Sequence, residues 1–471
     1  MTGFTRQLRY ITLASLFGFI GVILAAAVYA TVMRGWLQSR ADNPRLVEAE
    51  RAIVRGSLYD RHDTLLAFSQ LDAESNIATR EYLYPSSYSA LGYYSYRYGT
   101  SLIEATYDDL LRGERLPNTL DQYWLNQPRR GEDIQLTLDL TVQEPLAAAF
   151  GNHHGAAIVM TVPNGEVLAL FSNPTYNPNT LDANWDVLVA DEANPFFNRA
   201  LQGRYQPGSL LQSALLVTSV VNGQPFSARF PNGARTVIQD DLTLACLFAP
   251  PTIEITLNEA FIYGCPAPFT QISPILGAEA IQQSFITLNL ESVVLPDNFA
   301  EVPTEQALTT LTTSNLRENV LGQGALTVSP LSMTLFTAAI ANGGNAPRPY
   351  LLAGTRAPDA PEWQHPTRRE TTLPYMTDAT ARRLSEVFRT ALQTHTANRA
   401  EWAGLDAGGQ MAIAYSGDST QVWFIGFAVL ESEFDVVVTV VLEDSTNPLQ
   451  AASIAQVALR AAKASIESDI R

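Results

Sequence analysis

The spacing of apolar and polar positions divides the chain into one long apolar run followed by many shorter strand and helix patterns. Residues 10–33, between Arg9 and Arg34, carry no charge. As a helix this run is roughly 36 Å long, enough to cross the hydrocarbon core of a membrane. Trp36 follows it, where an aromatic ring suits the interface. Arg6 and Arg9 favour an inside N-terminus, and Arg34 and Arg40 weaken that charge asymmetry. Val28-Tyr29-Ala30 has the small-residue form of a signal-peptide cleavage site. The apolar run is longer than a usual signal core, so the reading is an anchor, with a cleaved signal as the alternative. Both readings place everything after residue 34 outside the cytoplasm.

Past the anchor the pattern changes. Residues 35–145 are mixed and poor in long periodic helices, and their tyrosine-rich segment 82–98 reads as packing surface or loop. A turn at Gly131-Glu132-Asp133 enters an alternating strand over 134–138, and a helix starts at Thr141. A hairpin is predicted from strands 156–162 and 166–172 around Pro163-Asn164-Gly165. A second, 422–430 and 434–443, turns at Glu431-Ser432-Glu433, and an amphipathic helix runs from Asn447-Pro448 to about Ile466. Helical patterns fill 331–341 and 377–394. Strands at both ends with helices between predict an α+β fold, an antiparallel sheet flanked by helices. The expected division is a cytoplasmic tail 1–9, a transmembrane helix 10–34, a smaller membrane-proximal non-catalytic domain 35–145 and a main domain 146–471.

Composition narrows the chemistry. Lys plus Arg is 30 against 47 Asp plus Glu, a net charge of −17, which argues against a nucleic-acid partner. The single lysine is Lys463, near the C-terminus, so any mechanism that needs a lysine must use it. Cys246 and Cys265 are read as two buried, small apolar side chains, with a disulfide as the alternative an exported location permits. His153-His154 precedes a strand, where adjacent side chains point apart, and reads as solvated loop rather than a metal site. His62, His365 and His395 are single, and Glu259 and Asp418 read as solvated acids. Gly322-Gln323-Gly324 lacks dinucleotide-binding spacing and reads as a turn. No cofactor or metal is expected.

The segments Arg55-Gly56-Ser57, Asp139-Leu140-Thr141, Asn173-Pro174-Thr175, Pro207-Gly208-Ser209 and Trp423-Phe424-Ile425, in that order, resemble class B penicillin-binding proteins, the peptidoglycan D,D-transpeptidase family. Arg55-Gly56-Ser57-Leu58-Tyr59-Asp60-Arg61 is similar to the start of that family's outer region, and Asp139-Leu140-Thr141-Val142-Gln143 to the element leading into its transpeptidase domain. Gly165-Glu166-Val167-Leu168-Ala169-Leu170 with Asn173-Pro174-Thr175-Tyr176-Asn177-Pro178 resembles the first hairpin of that domain. Asn198-Arg199-Ala200 to Pro207-Gly208-Ser209 resembles the run into the nucleophile. Gly322-Gln323-Gly324, Ser329-Pro330-Leu331, Asn342-Gly343-Gly344, Pro347-Arg348-Pro349-Tyr350 and Trp423-Phe424-Ile425-Gly426 follow in the family's order. The resemblance implies a transpeptidase/β-lactamase-like fold and acyl transfer through Ser209.

That chemistry rests on three signatures, S-x-x-K, S-x-N and K-T-G. In the first, a lysine one helical turn after the serine takes the hydroxyl proton. Here the run is Ser209-Leu210-Leu211-Gln212, and an amide nitrogen is no base. Gly264-Cys265-Pro266 stands for the second and Gln410-Met411-Ala412 for the third. What the resemblance leaves is Ser209 and an oxyanion hole from the backbone N–H groups of Ser209 and Ile413. Pro-Gly-Ser before an apolar run also has the form of a helix cap, which gives Ser209 a purely structural role. The expectation is a single-pass bacterial membrane protein, mostly extracytoplasmic, with the fold kept for scaffolding or binding. The partners implied are a peptidoglycan peptide or proteins of cell-wall synthesis and division. An active D,D-transpeptidase that binds β-lactams through Ser209 with a substitute base is the alternative.

Overall fold

The computed structural model describes residues 2–31, 50–116, 127–291, 309–367, 371–397, 399–417, 419–430, 432 and 434–469. The chain forms two compact units, one of 1–54, 70–79 and 117–130, the other of 55–69, 80–116 and 131–471. The first contains helix α1 (Thr2–Thr31), whose stretch Arg9–Val28 is long and apolar enough to cross a membrane by length and composition. The end of the predicted span, with Arg34, Trp36 and Arg40, lies outside the described residues.

The principal strands are β1 (Leu58–Tyr59), β2 (Leu65–Asp72), β3 (Ile77–Tyr82), β4 (Asp133–Leu136), β5 (Gly155–Val162), β6 (Val167–Asn173), β7 (Leu352–Arg356), β8 (Asp406–Ser416), β9 (Ser419–Val429) and β10 (Asp435–Leu442). The helices used below are α2 (Leu140–Phe150), α3 (Leu181–Ala190), α4 (Gln212–Val221), α5 (Ala267–Leu276), α6 (Pro330–Ala341), α7 (Asp378–Thr396) and α8 (Pro448–Asp469).

The larger sheet has the order β8-β9-β10-β5-β6 and is antiparallel throughout. Its register sets Ile413 opposite Val422, Val438 opposite Val159 and Ile158 opposite Leu170. Side chains alternate across a strand, so each strand feeds two cores. Ile158, Met160, Trp423 and Ile425 pack in the core that contains α6 residues Leu331, Leu335 and Phe336. Ala157, Val159, Phe424 and Val438 pack in the core that contains α2 and α8 residues Leu146, Phe150, Ala455 and Leu459. Helices therefore cover both faces, and strands such as β10, Asp-Val-Val-Val-Thr-Val-Val-Leu, are apolar on both sides. Local signals fix the helix ends. Asp139 Oδ1 accepts from Thr141 N at 2.9 Å ahead of α2, and Thr377 caps α7, whose buried stripe is Ala381, Leu384, Phe388 and Ala391. Both predicted hairpins form, β5–β6 and β9–β10, although Glu431 and Glu433 lie outside the described residues.

A second, smaller sheet has the order β7-β4-β1-β2-β3, with β1 parallel to β4. Behind it lies a buried ionic cluster. Glu104 Oε2 meets Arg55 Nη2 at 2.7 Å, its Oε1 meets Arg80 Nε at 2.7 Å, and Tyr82 OH donates to Oε1 at 3.1 Å. Burial alone would raise the Glu104 carboxyl, but Arg80 and Arg55 outweigh it and hold it below the ordinary value. Removing one member of such a cluster leaves charges buried without compensation. We predict that Glu104→Gln lowers the unfolding free energy by about 3–5 kcal/mol, measured by urea denaturation. Because the folded carboxyl titrates below the unfolded one, its contribution is complete above about pH 4.3 and fades as pH falls through the folded value. The difference between wild type and Glu104→Gln is expected to shrink over that acid range.

Candidate functional site

The run into Ser209 is held by groups from several elements. Arg199 Nε lies 2.9 Å from Glu443 Oε1, and Tyr205 OH donates to the same oxygen at 2.7 Å. Burial and the Glu443 carboxylate push the Tyr205 phenol up, so it stays protonated as the donor. Gln206 Nε2 donates to the carbonyls of Gln323 and Gly324 at 3.1 and 2.9 Å, and Trp423 Nε1 donates to Gln206 O at 3.3 Å.

Two glycines then let three backbone segments meet. Gly208 has φ +53°, and a Cβ there would lie 2.0 Å from Ile413 O on β8. Gly322 has φ +66°, and a Cβ there would lie 2.3 Å from Gly208 O. Only glycine fits both demands. Ser209 follows inside the 3₁₀ turn Gly208–Leu211 that leads into α4. It does not cap a helix, contrary to the structural role expected for it, because no side-chain cap bond forms at this turn. Its Oγ instead accepts from Ile413 N at 3.4 Å.

The structure brings Ser209, Gln212, Gly264, Pro266 and Ile413 to one cavity of about 40 Å³. Small-molecule sites usually measure about 300–1,000 Å³. Leu244, Leu247, Phe269 and Leu321 also line the cavity and leave little room. Gln410 adjoins it, with Nε2 donating to Ser209 O at 2.8 Å. Met411 and Ala412 are drawn away. Met411 packs in the core with Phe424, and Ala412 packs in the opposite core with Trp423, as strand alternation requires. Gln212 and Gln410 are both buried, and the Oε1 of each has no hydrogen-bond partner among the described residues. Each of these two side chains thus holds an unsatisfied acceptor oxygen near Ser209.

Gly264 has φ +63°, and a Cβ there would lie 2.7 Å from Leu247 Cβ. A serine at this position would collide with Leu247. Leu247 is seated by Leu247 N to Gly264 O at 3.3 Å, with Phe248 N to Tyr263 O at 3.0 Å beside it. The reading of Cys246 and Cys265 as separate apolar side chains is corrected here. They form a disulfide, with S–S 2.05 Å, that joins the same two segments. Pro266 is the residue before α5 and supplies no side-chain amide. Leu247 was not singled out from sequence, and its position next to Cys246 was the available signal. Gln323, read only as part of a turn, accepts from Tyr415 N at 3.1 Å and occupies a strand-edge donor of β8.

No lining group offers a base of the required kind, and Tyr415 is the only titratable side chain among them. Lys463 lies on α8, with Nζ 3.4 Å from Gly404 O and 3.6 Å from Glu467 Oε1. Glu259 spends its carboxylate on a capping box with Thr256, whose N–H and hydroxyl hold it below the usual range. His153 is exposed and its carbonyl accepts from Asn173 Nδ2 at 2.7 Å. His395 Nε2 lies 2.7 Å from Ile262 O and its ring stacks on Phe248 at 3.6 Å. Asp418 lies outside the described residues.

An antiparallel sheet between two helical layers, with a serine in the turn before a helix that abuts the edge strand, defines a protein of the transpeptidase fold. The family profile described as penicillin binding protein transpeptidase domain matches residues 155–464. The chain belongs to the penicillin-binding protein transpeptidase family. It is 26% identical over 474 residues to the peptidoglycan D,D-transpeptidase PbpA of Mycolicibacterium smegmatis, covering 94% of this chain and 95% of that one. Against PbpA of Mycobacterium tuberculosis the identity is 26% over 380 residues, 75% of this chain and 76% of the relative. The solved imipenem acyl-enzyme complex of penicillin-binding protein A from M. tuberculosis superimposes with a TM-score of 0.77 at 24% identity, covering 88% of this chain and 99% of that one.

Two predictions follow from the seat of Leu247 and the orphaned amides. Replacing both Cys246 and Cys265 by Ala is expected to lower stability by about 3 kcal/mol in thermal or urea unfolding, the effect of freeing a loop of this size. Gln212→Met removes a buried, unpartnered acceptor and keeps the volume, so stability is expected to rise by about 1 kcal/mol. A loss of similar size instead would show that Gln212 Oε1 has a partner.

Proposed function

We propose that this chain is a membrane-anchored penicillin-binding-protein homologue that has lost acyl transfer and serves as a binding or scaffold protein in the cell envelope. The observation that carries the reading is the Ser209 cavity. It is nearly filled, it contains no lysine or carboxylate, and its two lysine positions are glutamines. Losing a general base costs roughly 10² to 10⁴ in rate. Leu247 against Gly264 supports the reading further, because the hydroxyl of the second signature cannot be regained by one substitution.

The rest of the proposal follows from the family and the apolar helix. Residues 10–34 anchor the chain, with 1–9 inside and the remainder outside. Residues 35–145 form a membrane-proximal part, and 146–471 form the transpeptidase-like domain. The names of the relatives, peptidoglycan D,D-transpeptidases, support partners among peptidoglycan peptides or proteins of wall synthesis and division. One observation favours the alternative of an active serine enzyme. Ile413 N–H lies 3.4 Å from Ser209 Oγ, near enough to be redirected to the oxygen of a carbonyl that this hydroxyl attacks.

Fluorescent penicillin separates the two. The purified full chain is expected to show no covalent label under conditions that label an active homologue to completion. A stable band that disappears in Ser209→Ala would overturn the proposal.

A further inference from the structure

The tyrosine-rich segment 82–98 folds beside a second and larger cavity. About 330 Å³ in volume, it is lined by the rings of Tyr93, Tyr176, Trp185 and Phe196 together with Ser101 and Thr175. None of its lining side chains is charged.

The rings are arranged around each other. Tyr98 stacks on Trp185 with centroids 3.9 Å apart, and Phe196 tilts against Trp185 at 5.0 Å and against Tyr176 at 4.8 Å. Tyr93 meets Tyr176 edge-on at 5.8 Å. Ser95 Oγ donates to Asp182 Oδ1 at 2.6 Å, which ties this loop to α3, the helix that carries Trp185. Tyr93, Trp185 and Phe196 are only partly buried. A cluster formed solely to fill a core would close on itself, and this one encloses a cavity of small-molecule size.

Polar groups in the wall specify the ligand further. Thr175 Oγ1 is buried and has no hydrogen-bond partner among the described residues. Ser101 Oγ accepts from Tyr93 N at 3.1 Å and lies 3.4 Å from Tyr176 OH, so its own proton has only a long contact to satisfy it. Leu102, also in the wall, has φ +50°, a conformation that bulky side chains rarely adopt and that recurs at ligand clamps. An aliphatic chain would leave the Thr175 hydroxyl unsatisfied. A charged ligand would lose its water with no counter-charge in the wall. What fits is an uncharged ring with apolar C–H faces for the aromatic rings and hydroxyl or amide groups for Thr175 and Ser101.

We infer that this cavity is a binding site for a neutral pyranose saccharide, with Tyr93, Tyr176, Trp185 and Phe196 as its apolar wall and Thr175 as a hydrogen-bonding group. The inference uses no residue of the Ser209 cavity, and it stands whether or not Ser209 reacts with penicillin.

The test is isothermal titration of the full chain in lipid nanodiscs with chitotetraose, an uncharged oligomer of N-acetylglucosamine. Saturable binding is expected, and Ser209→Ala should leave it unchanged. Trp185→Leu should weaken it about tenfold through loss of part of the aromatic wall. Thr175→Val, close to isosteric, should weaken it about fivefold with a melting temperature no lower than wild type, because the hydroxyl it removes has no partner in the unliganded protein. No saturable heat, or equal affinity in wild type and Thr175→Val, would overturn the inference even if Trp185→Leu does not fold.

Discussion

Much of this molecule depends on burying both faces of one five-stranded antiparallel sheet. With α6 on one side and α2 and α8 on the other, no strand has a solvent face, so successive side chains must be apolar in alternation to two separate cores. This decides the fate of the segment Gln410-Met411-Ala412. Whatever chemistry the family places there, in this chain Met411 and Ala412 serve the two cores, and only Gln410 turns toward Ser209.

The scaffold around Ser209 rests on contacts that need no substrate. Arg199, Tyr205, Gln206 and Trp423 still lock the approach to the serine, and Gly208 and Gly322 still permit the close meeting of three backbones. These interactions hold the fold together whether or not a substrate ever binds. Gln212, Gly264 and Pro266 line the cavity beside Ser209, and Gln410 adjoins it. Leu247, fastened beside the Cys246–Cys265 bond, then occupies space next to Gly264. The edge strand β8 is closed in the same way, with Ile413 N–H turned to Ser209 Oγ and Tyr415 N–H to Gln323. An edge capped by its own side chains is less open to an added strand.

The neutral aromatic cavity beside α3 offers what the Ser209 cavity lacks, namely volume. A protein of this architecture with a narrow serine cavity can present a recognition surface elsewhere. Fold and chemistry are separable in this way because each rests on different residues.

The sequence by itself determined the apolar helix, both hairpins, the order of the helices and the presence of a single lysine, Lys463. These depend on local period, turn residues and the bare count of one lysine, none of which needs a neighbour in space. Tertiary structure decided the rest. Ser209 has the form of a cap in sequence, yet it lies inside a 3₁₀ turn because Gly208 must pack against Ile413. The two cysteines, 19 residues apart, became a bond only when the chain folded their segments side by side. The tyrosine segment read as packing, and only the meeting of Tyr93 and Tyr98 with Trp185 and Phe196, about ninety residues downstream, made it the wall of a cavity. Contacts between residues so far apart in the chain follow from how the layers pack, and a one-dimensional pattern carries no record of them.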